Sequence, residues 1–273
     1  MLKHATAAVT ALLVCIVLSG FPENAHGTDD DASPTGVASK TKTDSVKHSL
    51  CPDKMALDIK ILYPQNTGNA EVDAFFEKNA LNYIKEVSED TRNEALAKDY
   101  SCAFSEHLYA NGEFEASKPN PWVLGVLIAT FDFRGGANEH TVYTAYNYDL
   151  GTGKEIGIAD LFPNGKEGIS KYYDHLYLNL CVKAPKEEEI EGFLGGRCGK
   201  DEKAPKAFLN LTGSLDKLGH LVLTETGATA NFAPYQIRVG YLGPYTLKIP
   251  KEDLLAMGAN DFWSLPTQSI AGE

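Results

Sequence analysis

The chain has 273 residues, 43% of them apolar and 23% charged, with a formal net charge of -12. That length and apolar content allow a packed core and exclude a disordered or collagen-like chain. An acidic chain is poorly suited to coat phosphate, so nucleic acid is excluded as a partner. A basic protein is the natural electrostatic complement.

Met1 to Gly27 reads as a secretory signal. Lys3 and His4 give a positive start, and Ala7 to Leu18 is an apolar run too short for a comfortable membrane span. Ala25-His26-Gly27 supplies small residues for cleavage after Gly27. Cleavage there removes Lys3 and Glu23 together and leaves the net charge at -12. Cys15 is a poor lipid anchor, because Val14 stands where a small residue is wanted. No later stretch is apolar enough to span a bilayer, so a periplasmic or secreted protein is expected. Residues 28–49 contain Asp29-Asp30-Asp31 and Lys40-Thr41-Lys42-Thr43, offer little to bury and predict a flexible linker.

The alternation of Leu57, Ile59, Ile61 and Tyr63 with Asp58 and Lys60 predicts a half-buried strand. Asn69 is placed to cap a helix, with Glu71 and Asp73 at its positive end. Val72, Phe75, Phe76, Ala80, Tyr83, Ile84 and Val87 recur on one face of that helix. From Tyr100 the pattern turns to strands: Phe104 to Tyr109, a tight turn at Asn111-Gly112, then Trp122 to Phe133 and Thr141 to Leu150. Ile169, Tyr172, Tyr173, Leu176 and Leu180 mark a second helix. Leu209 to Gly213, Leu218 to Thr224, Tyr235 to Tyr241 and Tyr245 to Ile249 read as strands, and Lys251 to Met257 as a short helix. The order predicts an α+β fold, antiparallel sheet with two main helices packed on it.

After export four cysteines remain: Cys51, Cys102, Cys181 and Cys198. An even count in an exported protein predicts disulfides, with the sequence-near pairs Cys51–Cys102 and Cys181–Cys198 favoured. The second would contribute roughly 3 kcal/mol through loop-closure entropy. No two of these cysteines have C-x-x-C spacing and no histidine stands at ligand spacing beside them, so no metal and no cofactor is expected.

Catalytic patterns are missing too: there is no G-x-S-x-G and no H-E-x-x-H. Thr130-Phe131-Asp132-Phe133 resembles the T-F-D-D start of polysaccharide deacetylases, but Phe133 replaces the second Asp and no suitable histidine pair follows. Asp132 therefore reads as a strand-end residue, and the histidines, including His140, His175 and His220, as surface residues without a nucleophile. No catalytic residue is assigned. Two patches read as candidate contact surfaces: the acidic run Glu187, Glu188, Glu189 and Glu191 between Cys181 and Cys198, and the tyrosines around Tyr143 and Tyr146.

Six short motifs occur in a fixed order: Gly135-Gly136-Ala137-Asn138, Tyr146-Asn147-Tyr148-Asp149, Gly153-Lys154-Glu155-Ile156, Asp160-Leu161-Phe162, Phe232-Ala233-Pro234-Tyr235-Gln236-Ile237 and Gly243-Pro244-Tyr245-Thr246-Leu247-Lys248-Ile249-Pro250. This series resembles the extracytoplasmic domain of the lysozyme-binding anti-sigma factor RsiV, also found beside some peptidoglycan deacetylase domains. Asn138 stands where that family often has histidine. The resemblance implies an N-terminal half-module at 50–150, a C-terminal half at 151–260 and a tail at 261–273. It implies an exported, non-enzymatic binder of a lysozyme-like hydrolase, as inhibitor, sensor or immunity protein, since no sigma-binding segment or deacetylase domain is recognised. Binding of peptidoglycan, or an unrecognised activity on the wall, is the alternative.

Overall fold

The computed structural model describes residues 35–47, 55–97, 108–133, 139–184, 186, 189–190, 194, 198, 220–237 and 239–264, with backbone alone at 55–56 and 91–97. The expected signal, the Cys51–Cys102 bridge and the strands expected at Phe104 to Tyr109 and Leu209 to Gly213 fall wholly or mostly outside these residues.

A six-stranded sheet runs in chain order through β1 (Ala38–Lys47), β2 (Met55–Gln65), β3 (Tyr109–Asn120), β4 (Val123–Phe133), β5 (His140–Asp149) and β6 (Lys154–Glu155). Every pair is antiparallel except β2 and β3, which run parallel over Asp58↔Tyr109 to Ile61↔Gly112. A parallel pair needs a crossover, and α1 (Ala70–Ala97) lies in that connection. The sheet is otherwise antiparallel, as expected; at this one pair the helix returns the chain in the direction of the strand before it.

Asn69 caps α1. Its Oδ1 accepts the N–H groups of Glu71 (2.9 Å) and Val72 (3.3 Å), and its Nδ2 donates to the Leu150 carbonyl at 2.9 Å. Val72, Phe76, Ala80, Ile84 and Val87 bury one face of α1 against Leu57, Ile59, Ile61 and Tyr63 of β2 and Leu124 and Val126 of β4.

A second core forms beyond Glu155. α2 (Ile158–Leu161) and α3 (Lys166–Tyr177), the latter continued by a wide turn at Leu178–Val182, pack on a three-stranded antiparallel sheet of β7 (His220–Thr224), β8 (Gly227–Phe232) and β9 (Tyr245–Pro250). Phe162, Tyr172, Leu176, Leu223, Phe232 and Ile249 fill this core, and α4 (Lys251–Ala256) closes it with Leu254.

The two sheets meet where β7 lies on the face of the large sheet turned away from α1. Gly125 and Asn147 are register partners on β4 and β5. Asn147 donates through Nδ2 to the Leu221 carbonyl (2.8 Å) and accepts the Leu223 N–H on Oδ1 (2.7 Å), so its amide serves the edge of β7 on which no strand pairs among the described residues. At Gly125 a Cβ would fall 2.2 Å from the Leu223 carbonyl oxygen. The bare backbone is what admits β7 there.

Several sequence expectations are corrected. Residues 28–49 do not form a linker throughout: Ala38–Lys47 is the edge strand β1, with Val37 and Val46 buried. Its polar residues conceal a strand that is held by its ladder with β2. Asn111-Gly112 is not a turn but mid-strand in β3, where Gly112 faces Ile61 closely enough that a Cβ would come 3.0 Å from its Cδ1. The chain reverses instead around Pro121, where Asn120 Oδ1 accepts the Trp122 N–H at 2.7 Å. Tyr235 to Tyr241 is not a strand: Pro234 and a positive φ of 65° at Tyr235 turn the chain, and Gly240–Leu242 is a single 3₁₀ turn. The strand lies earlier, at Gly227–Phe232, whose Gly-Ala-Thr-Ala start gives weak alternation. The start of the expected tail is also docked, since Trp263 Nε1 donates to the Thr224 carbonyl at 2.7 Å.

Candidate functional site

Cys181, in the wide turn after α3, is joined to Cys198 by a disulfide with a Cα–Cα distance of 5.3 Å. The loop so closed is also anchored by Ile190 and Leu194, both buried in the second core. Glu189 stands exposed in that loop, in a left-handed conformation with φ 54°. Its Oε1 accepts the hydroxyl of Tyr241 at 2.8 Å. That bond, before anything else, raises the Tyr241 hydroxyl pKa above its ordinary value. Glu187, Glu188 and Glu191 lie outside the described residues.

Tyr241 is 74% exposed and Tyr235 54% exposed, two of the most open large apolar side chains described. The Tyr235 ring stands over Gly240, where a Cβ would fall 2.0 Å from the ring; glycine there makes room for it. Val182, beside the bridge, is 52% exposed. A carboxylate, two open tyrosine rings and a disulfide-held loop thus occur on neighbouring segments. Such a surface offers apolar ring area and negative charge together, the complement of a cationic, partly apolar partner face.

Of the tyrosines expected to face a partner, Tyr143 does not. Tyr143 is buried, and that burial pushes its hydroxyl up to about 12. Tyr146 is half-buried and its ring meets Phe75 and Phe76 edge to face, at 5.2 and 5.7 Å between centroids. Tyr146 packs against the core under α1, whereas Tyr143, an odd number of residues away on β5, lies on the opposite face. Tyr235 and Tyr241 escaped the sequence reading because a strand was expected across them. The signal available was Pro234 before Tyr235 and Gly240 before Tyr241, two breakers in seven residues.

Two further titratable pairs are local. His140 Nδ1 lies 3.0 Å from the Asp132 carboxylate, its register partner across β4 and β5. The Tyr109 hydroxyl donates to Glu139, and that bond lifts its pKa to about 12. Among the described residues no three His, Cys, Asp or Glu side chains are grouped to hold a metal ion. A cavity of about 300 Å³ between the sheets is lined by Asn147, Ile156, Tyr172, His220, Leu221 and Leu223. The amide of Asn147 is committed to β7, and the Tyr172 hydroxyl is buried without a partner. Glu155 also lines the cavity, and Ala145, Ile158 and Leu161 complete its aliphatic wall.

His220 and His175 are both held below the ordinary histidine pKa by burial, His175 with opposing contributions from Asp253 and Lys183. A histidine whose folded pKa is depressed binds its proton more readily when unfolded. Stability is therefore present above about pH 6.5 and falls as the pH drops below that unfolded value. The urea midpoint is expected to be lower at pH 5 than at pH 7.5. His220→Gln should shrink the difference, and an unchanged pH slope in that variant would remove His220 from the account.

No family model matches the sequence, and no curated protein is significantly similar to it. Solved structures are. A DUF3298 family protein from Pseudomonas aeruginosa PAO1 superposes with a TM-score of 0.55 at 15% identity, covering 86% of this chain and 97% of that one. A DUF3298 family member from Bacteroides fragilis NCTC 9343 superposes with a TM-score of 0.51 at 16% identity, covering 82% of this chain and 94% of that one. Among the described residues no helix is long and apolar enough to cross a membrane, and the disulfide suits an oxidising compartment. The chain has the α+β fold of DUF3298 proteins, a curled mixed sheet with few helices.

Proposed function

We propose that this chain is an exported binding protein that recognises a cationic cell-wall hydrolase of the lysozyme type and does no bond chemistry itself. The observation that carries the reading is the pairing of exposed Tyr241 with Glu189 on the loop held by Cys181–Cys198. Open tyrosine rings beside a carboxylate favour a basic partner, and the net charge of -12 steers such a partner toward the chain. The resemblance of the motif series to the RsiV ectodomain supports the choice of hydrolase. The signal-like Met1 to Gly27 supports export.

The test is capture of purified basic muramidases by the immobilised chain. Tyr241→Ala removes the ring and its bond to Glu189 from an exposed site, so folding is expected to be unaffected and affinity to fall at least tenfold. Full retention of affinity in that variant, or no binding by any muramidase, would refute the proposal.

A further inference from the structure

A second surface lies on the α1 face of the large sheet, away from the core that holds the disulfide, in the groove between α1 and the open part of β4 and β5. Register pairs Val126↔Tyr146, Ile128↔Thr144, Thr130↔Val142 and Asp132↔His140 follow one another along this ladder. Because strand side chains alternate, Tyr146, Thr144, Val142 and His140 share the face on which α1 packs. The helix covers only part of that face. Val142 remains 41% exposed and the His140 side chain 72% exposed.

The near end of this face forms a groove of about 240 Å³. One wall is the flank of α1, with Asn79, Asn82 and Glu86; the other is the sheet, with Thr130, Thr144 and Tyr146. The amides of Asn79 and Asn82 have no hydrogen-bond partner among the described residues. They present paired donors and acceptors beside an apolar floor of Ile61 and Ile128. The tyrosine ring is fixed against Phe75 and Phe76, so using it costs little ordering entropy. Farther along, Asp132 and His140 add polar groups, and the ladder from Tyr146 to His140 spans about 20 Å.

Amides, hydroxyls and a carboxylate over an aromatic and aliphatic floor are the complement of a sugar ring, which is apolar on its face and hydroxylated at its rim. The straightness of a β-ladder suits an extended β-1,4-linked chain better than a coiled α-linked one. The carboxylates of Glu86 and Asp132 disfavour an anionic chain. We infer that this groove binds a β-1,4-linked N-acetylhexosamine chain, with Asn79 and Asn82 holding the acetamide and hydroxyl groups and Tyr146 lying against a ring face. This inference concerns a different surface from that of the hydrolase reading and stands without it.

The test is an NMR titration of the full chain with chitotetraose as the neutral probe, maltotetraose as the α-linked control and peptide-free wall glycan strands as the anionic β-1,4-linked control. Chitotetraose is expected to give saturable shifts at the amides of Thr130, Thr144 and Tyr146. The Asn79→Ala and Asn82→Ala double variant, on a helix flank where alanine is well tolerated, should lose at least tenfold in affinity. Wall glycan strands, whose muramic acid residues each carry a lactyl carboxylate, should bind at least tenfold more weakly than chitotetraose, and equal or tighter binding of the strands would overturn the choice of a neutral chain. Tyr241→Ala should leave the titration unchanged, which separates this inference from the hydrolase reading. Shifts absent from the groove, equal response to maltotetraose, undiminished binding by the double variant, or occupation by a basic peptide in place of sugar would overturn it.

Discussion

Replacing Asn147 with alanine is expected to destabilise the fold by about 3 kcal/mol. Its side chain is 8% exposed and serves two backbone groups of β7, the Leu221 carbonyl and the Leu223 N–H. Alanine has the right size for the backbone of β5 but leaves both groups buried and unpaired, each at a cost of about 1–3 kcal/mol. Asn147→Asp separates the two bonds. The carboxylate still accepts from Leu223 but has no proton to give the Leu221 carbonyl, so an intermediate or larger loss follows at neutral pH. Urea unfolding of both variants measures this. Lys85→Ala, at an exposed pair with Glu89 (3.9 Å), should stay within about 0.5 kcal/mol as the control. An Asn147→Ala variant as stable as that control would mean that β7 is not held by this amide.

Gly125→Ala is expected to cost about as much, roughly 3 kcal/mol, by the opposite route. The added carbon meets a backbone carbonyl at 2.2 Å, and backbone offers no rotamer with which to yield. The strand β7 must lift from the sheet, and with it go the bonds to Asn147, the register partner of Gly125. The two variants therefore act on one junction. Combined, they should lose clearly less than the sum of the single losses, because the second change removes bonds that the first has already broken. Strict additivity would show the two positions to be independent and the junction to be misassigned.

How far these features can be read in the sequence depends on how local their causes are. The strand from Leu57 to Tyr63, the helix capped by Asn69 and the stripe of Tyr172, Tyr173 and Leu176 are written in short periods and were legible. β1 was not, because Lys40, Thr41, Lys42 and Thr43 carry no alternation and the strand exists through its partner β2. Asn111-Gly112 misled because the same dipeptide suits a hairpin turn and a strand position pressed by Ile61. Gly125 and Asn147 gave no sign of their role, since β7 lies more than seventy residues away in the chain. At the surface, the acidic run was visible, but which tyrosine stands beside it was not. Tyr143 and Tyr146 carry the same ring as Tyr241, and only packing decides that Tyr143 is buried and that Tyr146 is half-covered by Phe75 and Phe76.

The functional account rests on charge and ring area acting together at Glu189 and Tyr241. Its most direct test is the affinity of a basic muramidase for the wild-type chain and for Glu189→Lys, measured at low and high salt. The account predicts tight, salt-weakened binding by the wild type and a loss of at least tenfold on charge reversal at low salt. Equal affinities of the two proteins at low salt would contradict it.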